Sequence, residues 1–289
     1  MFNKIVIFGV GLIGGSVALA LKKLANPPQI IGVGRSDQSL QEALSLGLID
    51  QAVTDIAIAL ENADLVLLAA PVAQTPAILR TIRPYLAAQT VITDAGSTKS
   101  DVMAYAEAEL GDKFSQFVGG HPIAGAEKSG PAAAMADLYI GKNVILTPAT
   151  VTSTAAVQKV TALWQNCGAL VSNMLPQEHD SVFAAVSHLP HLLAFALVED
   201  LAKRGNAELL FKFAASGFRD FTRIAGSHPE MWRDIALANK SALLQELKDY
   251  QAAITEMTEL LESNDEQGLF ALFEHASNAR NAWAKSKTQ

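Results

Sequence analysis

The sequence predicts an α/β fold, a doubly wound parallel sheet over residues 1–175 followed by an all-helical half over 176–289 that pairs with a second copy. Three observations predict it. Up to residue 175, apolar runs of strand length alternate with stretches of helical periodicity. A glycine-rich turn follows the first apolar run. Beyond Pro176 the strand signals stop and helical periodicity continues to the end.

Taken in order, Lys4–Phe8 reads as a strand, then come the glycines, then a helix to Leu24. Gln29–Val33 is a second strand and Leu40–Leu46 a short helix. Asp64–Ala70 is a continuous apolar run closed by Pro71, the pattern of a strand buried on both faces. Thr75–Leu86 is helical, Thr90–Thr93 is a strand, and Lys99–Leu110 is a helix stopped by Gly111. Phe117–Gly120, Asn143–Leu146 and Ala169–Asn173 complete the strands, with helix Thr154–Asn166 between the last two. In the second half Leu243, Leu244, Leu247, Tyr250, Ile254, Met257, Leu260 and Leu261 recur every three or four residues. That is one long amphipathic helix with a continuous apolar stripe; an all-helical half of about 110 residues that also includes an almost wholly apolar helix predicts shared burial, hence a homodimer.

Composition narrows the function. Half of the 289 residues are hydrophobic and 18% are charged, enough for a large core. The net charge of −7 divides into 11 basic against 13 acidic residues over 1–175, and 11 against 16 over 176–289. Neither half offers the basic surface that nucleic acid requires. A single cysteine, Cys167, excludes an internal disulfide and a multi-cysteine zinc site, so a cytoplasmic setting is expected. Two charge-free runs imitate membrane or export segments. Ile5–Leu21 carries four glycines that suit a strand and turn better than an apolar helix. Ser181–Val198 contains Ser187, His188, Pro190 and His191, and reads as a buried helix of a protein with no membrane partner.

Gly9-Val10-Gly11-Leu12-Ile13-Gly14 sits between a strand and a helix at the start of the alternation. This is the dinucleotide fingerprint of a Rossmann-like domain. The first glycine makes the turn, the second lets backbone approach a pyrophosphate, and the third lets helix and strand pack closely. A carboxylate at the end of the second strand would select NAD; Arg35 and Ser36 stand there instead and suit the 2′-phosphate of NADP. Asp37, one step on, keeps NAD open.

Ligands of such sheets lie beyond the carboxyl ends of the strands. Two polar segments fall there, Asp94–Lys99 and Gly119–Glu127. His121 is placed just after a strand as a proton acceptor beside a hydride acceptor. Ser97 is a candidate substrate contact, while Thr98 with Asp101 reads as a capping box for the next helix. His188 and His191, three apart, share a helix face, with a kink expected at Pro190. With no glutamate beside them they predict no metal site. Arg219 and Arg223 lie among Phe218, Phe221 and Ile224, a setting that suits a carboxylate clamp or an ion pair with Asp220 or Asp234.

HPIAGAEKSG (121–130), SHLPH (187–191) and FRDFTRIAGSHPEMWRDI (218–235), in this order, resemble the prephenate/arogenate (cyclohexadienyl) dehydrogenase family of tyrosine biosynthesis. The resemblance runs from residue 1 to about 260. It implies a homodimeric enzyme using NAD(P) for oxidative decarboxylation of prephenate to 4-hydroxyphenylpyruvate, or of arogenate to tyrosine. It also implies roles. His121 accepts the proton of the substrate 4-hydroxyl, Ser97 bonds the same region, and Arg223 holds the ring carboxylate. Ser187, His188 and His191 line the pocket, and Glu127 gates or tunes its far end. Ala126 stands where the family often has threonine or serine, which leaves the pyruvyl and alanyl tails both open. The chain leaves no room for a fused mutase or regulatory domain, so tyrosine inhibition is expected to act at the active site. A hydroxyacid dehydrogenase would instead need a lysine base early in the second half, and no lysine lies between Lys159 and Lys203.

Overall fold

The computed structural model describes residues 2–126 and 128–287. They form two compact units, 1–240 and 241–289. The first holds an eight-stranded sheet in the order β3-β2-β1-β4-β5-β6-β7-β8. Its strands are β1 (Lys4–Phe8), β2 (Gln29–Val33), β3 (Gln51–Ala52), β4 (Leu65–Leu68), β5 (Val91–Asp94), β6 (Phe117–Pro122), β7 (Asn143–Thr147) and β8 (Leu170–Asn173). The first six are parallel. The connections include α1 (Leu12–Lys22), α2 (Asp37–Ser45), α3 (Ile56–Leu60), α4 (Thr75–Ile82), α5 (Ser100–Leu110) and α6 (Thr154–Asn166).

The apolar strand runs are apolar because both faces of the sheet are covered. Ile5 and Ile7 enter one core with Val17, Leu21, Val160 and Trp164 of α1 and α6. Val6 and Phe8, their alternates, enter the other with Leu60, Leu79, Val102 and Leu110 of α3, α4 and α5. The sheet departs from the wholly parallel form in one place. β7 runs antiparallel to β6, and β8 follows β7. Between Pro122 and Asn143 the described chain makes only a short helical turn, Pro131–Ala133. A parallel return needs a crossover of a dozen residues or more, usually a helix, and none is formed there.

The rest of this unit is helical: α7 (Pro176–Phe183), α8 (Leu189–Ala202), α9 (Ala207–Lys212), α10 (Ser216–Thr222) and α11 (Pro229–Ala238). Between α7 and α8 the residues Ala184–His188 form a π-helical segment, so the helix runs on from Pro176 to Ala202. Pro190 lacks the N–H that an α-helix would use, and the wider turn just before it absorbs the irregularity. By length and composition this helix would pass as a membrane span, with a mean hydropathy of 1.7. The expectation that Ser181–Val198 is buried holds on one face alone. Phe183, Ala184, His188, Leu189 and Ala194 are buried, whereas Val186 is 66% exposed. The second unit is a pair of helices, α12 (Lys240–Glu262) and α13 (Glu266–Lys287), and Asp265 just before α13 caps it by accepting from Gly268 N–H at 2.9 Å.

Candidate active site

The glycine loop leaves β1 and enters α1 with each glycine held to a different requirement. Gly9 has φ +92°, and a Cβ there would lie 2.6 Å from the Ala69 carbonyl oxygen. At Gly14 a Cβ would lie 2.3 Å from Gly9 O and 2.8 Å from Ile7 Cγ2. At Gly11 a Cβ would meet no protein atom within 4 Å. Space is therefore left on the outside of the loop, where a ligand's pyrophosphate would approach. No side chain caps α1 at Gly11, so its first N–H groups also face that space. Tyr139, fully buried, donates its hydroxyl to Ile13 O at 2.7 Å and fixes Leu12 and Ile13 in the first turn. The loop thus fits a dinucleotide. Arg35 and Ser36 are exposed just after β2, and Ser36 Oγ accepts from Ser39 N–H at 3.2 Å as the N-cap of α2.

His121 lies within β6 rather than after it, because its main chain pairs with Ile145 of β7. Beneath it, Asp94 at the end of β5 accepts from Gly120 N–H at 2.8 Å and from Gly96 N–H at 2.8 Å. Asp94 also forms an ion pair with Lys99, which is fully buried. This pair ties the loop after β5 to the strand that carries His121.

His121 Nδ1 is 2.8 Å from His179 Nε2, and His179 Nδ1 is 2.8 Å from Asp180 Oδ1. Burial raises the Asp180 pKa, but the bonds from His179, Ser100 and Lys99 outweigh it and hold the carboxyl below its ordinary range. The carboxylate also accepts from Lys99 N–H and Ser100 N–H, each at 2.8 Å. This corrects the capping box expected from Thr98 and Asp101. The helix starts at Ser100 with Lys99 at its cap position, and Asp180 of α7 satisfies its first amides from across the fold. Burial first, then the nearby His179, Lys99 and His188, hold the His121 pKa well below 6.5. His121 is a neutral base.

Facing it is the π-helical segment. His188 is buried, with Nδ1 at 3.1 Å from Asn239 Nδ2, and burial holds its pKa down to about 4. His191 donates from Nδ1 to Ser187 O at 2.9 Å and stacks on Trp232 at 3.7 Å. The irregular backbone before Pro190 therefore supplies the acceptor that fixes the His191 ring. Ser97, His121, Ser187, His188, His191, Arg223 and Trp232 all line one cavity of about 640 Å³. Arg223 is an exposed cation on its rim, and burial together with that cation lowers the His191 pKa. Arg233, not Arg223, pairs with Asp234, at 2.6 Å.

Six of the seven expected substrate-site residues are thus gathered around one space, and Glu127 lies outside the described residues. Sequence reasoning missed His179, Asp180 and Asn239. His179 and Asp180 are adjacent, a spacing with no helical signature, and their partners lie 58 and 81 residues away. Trp232 sat inside a recognised motif but without a role. Its stacking on His191 joins residues 41 apart in the chain, so the sequence carried no signal for it.

Comparison with known proteins accords with this geometry. The model of the family "Prephenate dehydrogenase, nucleotide-binding domain" matches residues 17–173, and that of "Prephenate dehydrogenase, dimerization domain" matches residues 175–275. Prephenate dehydrogenase of Bacillus subtilis is 41% identical over 283 residues, 97% of this chain and 76% of that protein. Cyclohexadienyl dehydrogenase of Zymomonas mobilis is 34% identical over 284 residues, 98% of this chain and 96% of that one. The crystal structure of prephenate dehydrogenase from Aquifex aeolicus with hydroxyphenyl propionate and NAD+ superposes with a TM-score of 0.91. It shares 38% identity and covers 97% of this chain and 98% of its own. A glycine loop shaped for a dinucleotide, a neutral buried histidine on a cavity wall and these relatives agree: the chain belongs to the prephenate dehydrogenase family, oxidoreductases that act on a small molecule with a nicotinamide cofactor.

Proposed function

We propose that the chain converts prephenate to 4-hydroxyphenylpyruvate and carbon dioxide, with arogenate as its alternative substrate. The observation that carries this is the neutral His121, opening on a cavity whose rim holds Arg223. The 4-hydroxyl gives its proton to His121 as hydride leaves C4, and the C4–O bond gains carbonyl character. The electron pair of the breaking bond between the ring and its carboxylate then flows into the ring, which becomes aromatic. The proton returns from His121 to the oxygen as the phenol forms. Arg223 holds a substrate carboxylate by paired N–H donors, Ser97 bonds near the reacting hydroxyl, and Ser187, His188 and His191 shape the pocket. Glu127 acts at the far end.

When bound, the dinucleotide supplies the hydride acceptor. Gly9, Gly11, Leu12, Ile13 and Gly14 would hold its pyrophosphate, and Arg35 and Ser36 a 2′-phosphate, which favours NADP over NAD. We divide the chain at 175/176 into a dinucleotide-binding domain and a helical substrate and dimerisation domain. The end of β8 and the two family models support that division. A homodimer is supported by the dimerization-domain match and by the exposed apolar side chains of α12 and α13. A cytoplasmic site suits Cys167, a buried thiol whose pKa burial pushes up to about 12. The test is nicotinamide reduction by purified protein, with prephenate or arogenate against NADP⁺ or NAD⁺. Turnover fastest with prephenate and NADP⁺ is expected. Silence in all four combinations, with dinucleotide still bound, would refute the activity.

A further inference from the structure

Asp180 lies where two hydrogen-bond chains cross, and each ends on a histidine of the cavity wall. In the first, Asp180 Oδ1 contacts His179 Nδ1 and His179 Nε2 contacts His121 Nδ1, each at 2.8 Å. A carboxylate can only accept, so the His179 proton sits on Nδ1 and neutral His179 has a bare Nε2. That atom accepts from His121 Nδ1–H, and the proton-free nitrogen of His121 is Nε2. In the second, the main-chain oxygen of Asp180 accepts from Asn239 Nδ2 at 2.7 Å. A carbonyl oxygen also can only accept, so the contacting amide atom is nitrogen. Its second hydrogen meets His188 Nδ1 at 3.1 Å. His188 is then protonated on Nε2. The Ser97 main chain, on the same cavity, is the hydrogen-bond acceptor that this proton faces, and among the described residues no other group partners Nε2. His188 is 1% exposed and its Nε2 is enclosed behind the cavity wall, so its proton is turned to the Ser97 main chain, while Nε2 of His121 is left open to the cavity.

We propose that Asp180 holds His121 and His188 in opposite tautomers, so that His121 presents a bare Nε2 to the substrate hydroxyl while His188 turns its Nε2–H to the Ser97 main chain and holds that loop on the cavity. The naming of that hydroxyl rests on the prephenate reading. The tautomers do not. The bare nitrogen of His121 takes the hydroxyl proton, and the Nε2–H of His188 fixes the loop whose Ser97 lines the same cavity. His179 and Asn239 are positioning residues that act through His121 and His188.

The first readout needs no turnover. Long-range proton–nitrogen NMR of the ¹⁵N-histidine-labelled full chain at pH 7 reports which nitrogen of each ring carries the proton. His121→Gln and His188→Gln assign the signals. The expected result is Nδ1–H for His121 and Nε2–H for His188, both neutral. The same tautomer in both rings, or a charged His188, overturns the proposal. Asn239→Leu should move the His188 signals toward a tautomer mixture and leave His121 unchanged, and His179→Leu should do the reverse. Each should lower kcat at least about tenfold with KM within about threefold, as a wrong tautomer costs rate rather than binding. His179→Gln, whose carbonyl can accept from His121 Nδ1–H, should recover most of the rate lost in His179→Leu. If Gln is as slow as Leu in a folded protein, the tautomer role of His179 fails. If the leucine variants do not fold, the wild-type spectrum alone decides. A wild-type chain with the expected tautomers but no activity on prephenate would instead remove the substrate reading.

Discussion

At His121 the environment removes charge before any substrate arrives. Burial opposes the imidazolium, and Lys99, together with the neighbouring His179 and His188, opposes it further. The sign for activity follows. The base form is the neutral one, and its pKa lies well below 6.5, so protonation disables it only at acid pH. The kcat/KM for prephenate should therefore stay level as pH falls from 8 through 6.5, with the acid limb appearing lower. A limb centred near 6.5 would mean that His121 titrates as an exposed histidine. His121→Asn should lower kcat by about 10²–10⁴, the usual worth of a general base, while dinucleotide affinity persists. A near-normal rate would take the proton-transfer role from His121. Arg223→Ala should mainly raise KM, about tenfold or more, because it removes a charge-assisted contact to a carboxylate. An unchanged KM would return Arg223 to a structural ion pair. His121 and Arg223 were legible because a histidine between glycines and an arginine among aromatics are unusual for bland reasons. His179, Asp180 and Asn239 were not, since their meaning lies in partners brought near by the sheet and helices rather than in their neighbours along the chain.

Among the elements, those defined by one run of periodicity were read with their bounds. β1, β2 and α6 span the residues expected, because alternation of strand and helix periods marks both ends. β3 has two residues and no period to detect. The direction of β7 was not readable either, since an apolar run fixes burial and not the sense of pairing. The glycine loop shows the opposite case, where each residue type reports its surroundings. Gly14→Ala would place a methyl 2.3 Å from backbone oxygen, so a lowered melting temperature or failure to fold is expected. Gly11→Ala meets no protein atom within 4 Å. It should leave the melting temperature of the ligand-free protein nearly unchanged and weaken dinucleotide binding about tenfold or more, measured by fluorescence titration. Equal affinity in the Gly11 variant would show that the backbone there does not approach the pyrophosphate. At the end of β2, Arg35→Asp should shift the ratio of kcat/KM values from NADP⁺ toward NAD⁺, because a carboxylate repels a 2′-phosphate. An unaltered ratio would place the phosphate elsewhere.

For the whole molecule, the question is what covers the apolar side chains that one chain leaves in water. In α12, Leu244 is 47% exposed, Ile254 45% and Leu261 59%; in α13, Phe270 is 66% exposed and Phe273 55%. In the apolar helix through the cavity wall, Val186 is likewise exposed. Soluble monomers rarely carry so many large apolar groups on neighbouring turns, and the sequence periodicity that builds α12 exists to place them on one face. Burial at about 25 cal/mol per Å² makes a second copy the natural cover, and the stripe can meet its own symmetry mate. Sedimentation equilibrium at micromolar concentration should give about twice the 30.7 kDa of one chain, and the melting temperature should rise with protein concentration. Ile254→Glu with Leu261→Glu, seven residues apart and so on one helical face, should yield chains of single mass. The sheet domain, with its two cores complete within one chain, should keep its dinucleotide affinity in that variant. A wild-type protein that sediments as a single chain, with a melting temperature independent of concentration, would show that these side chains face solvent and that the dimer is not the working form.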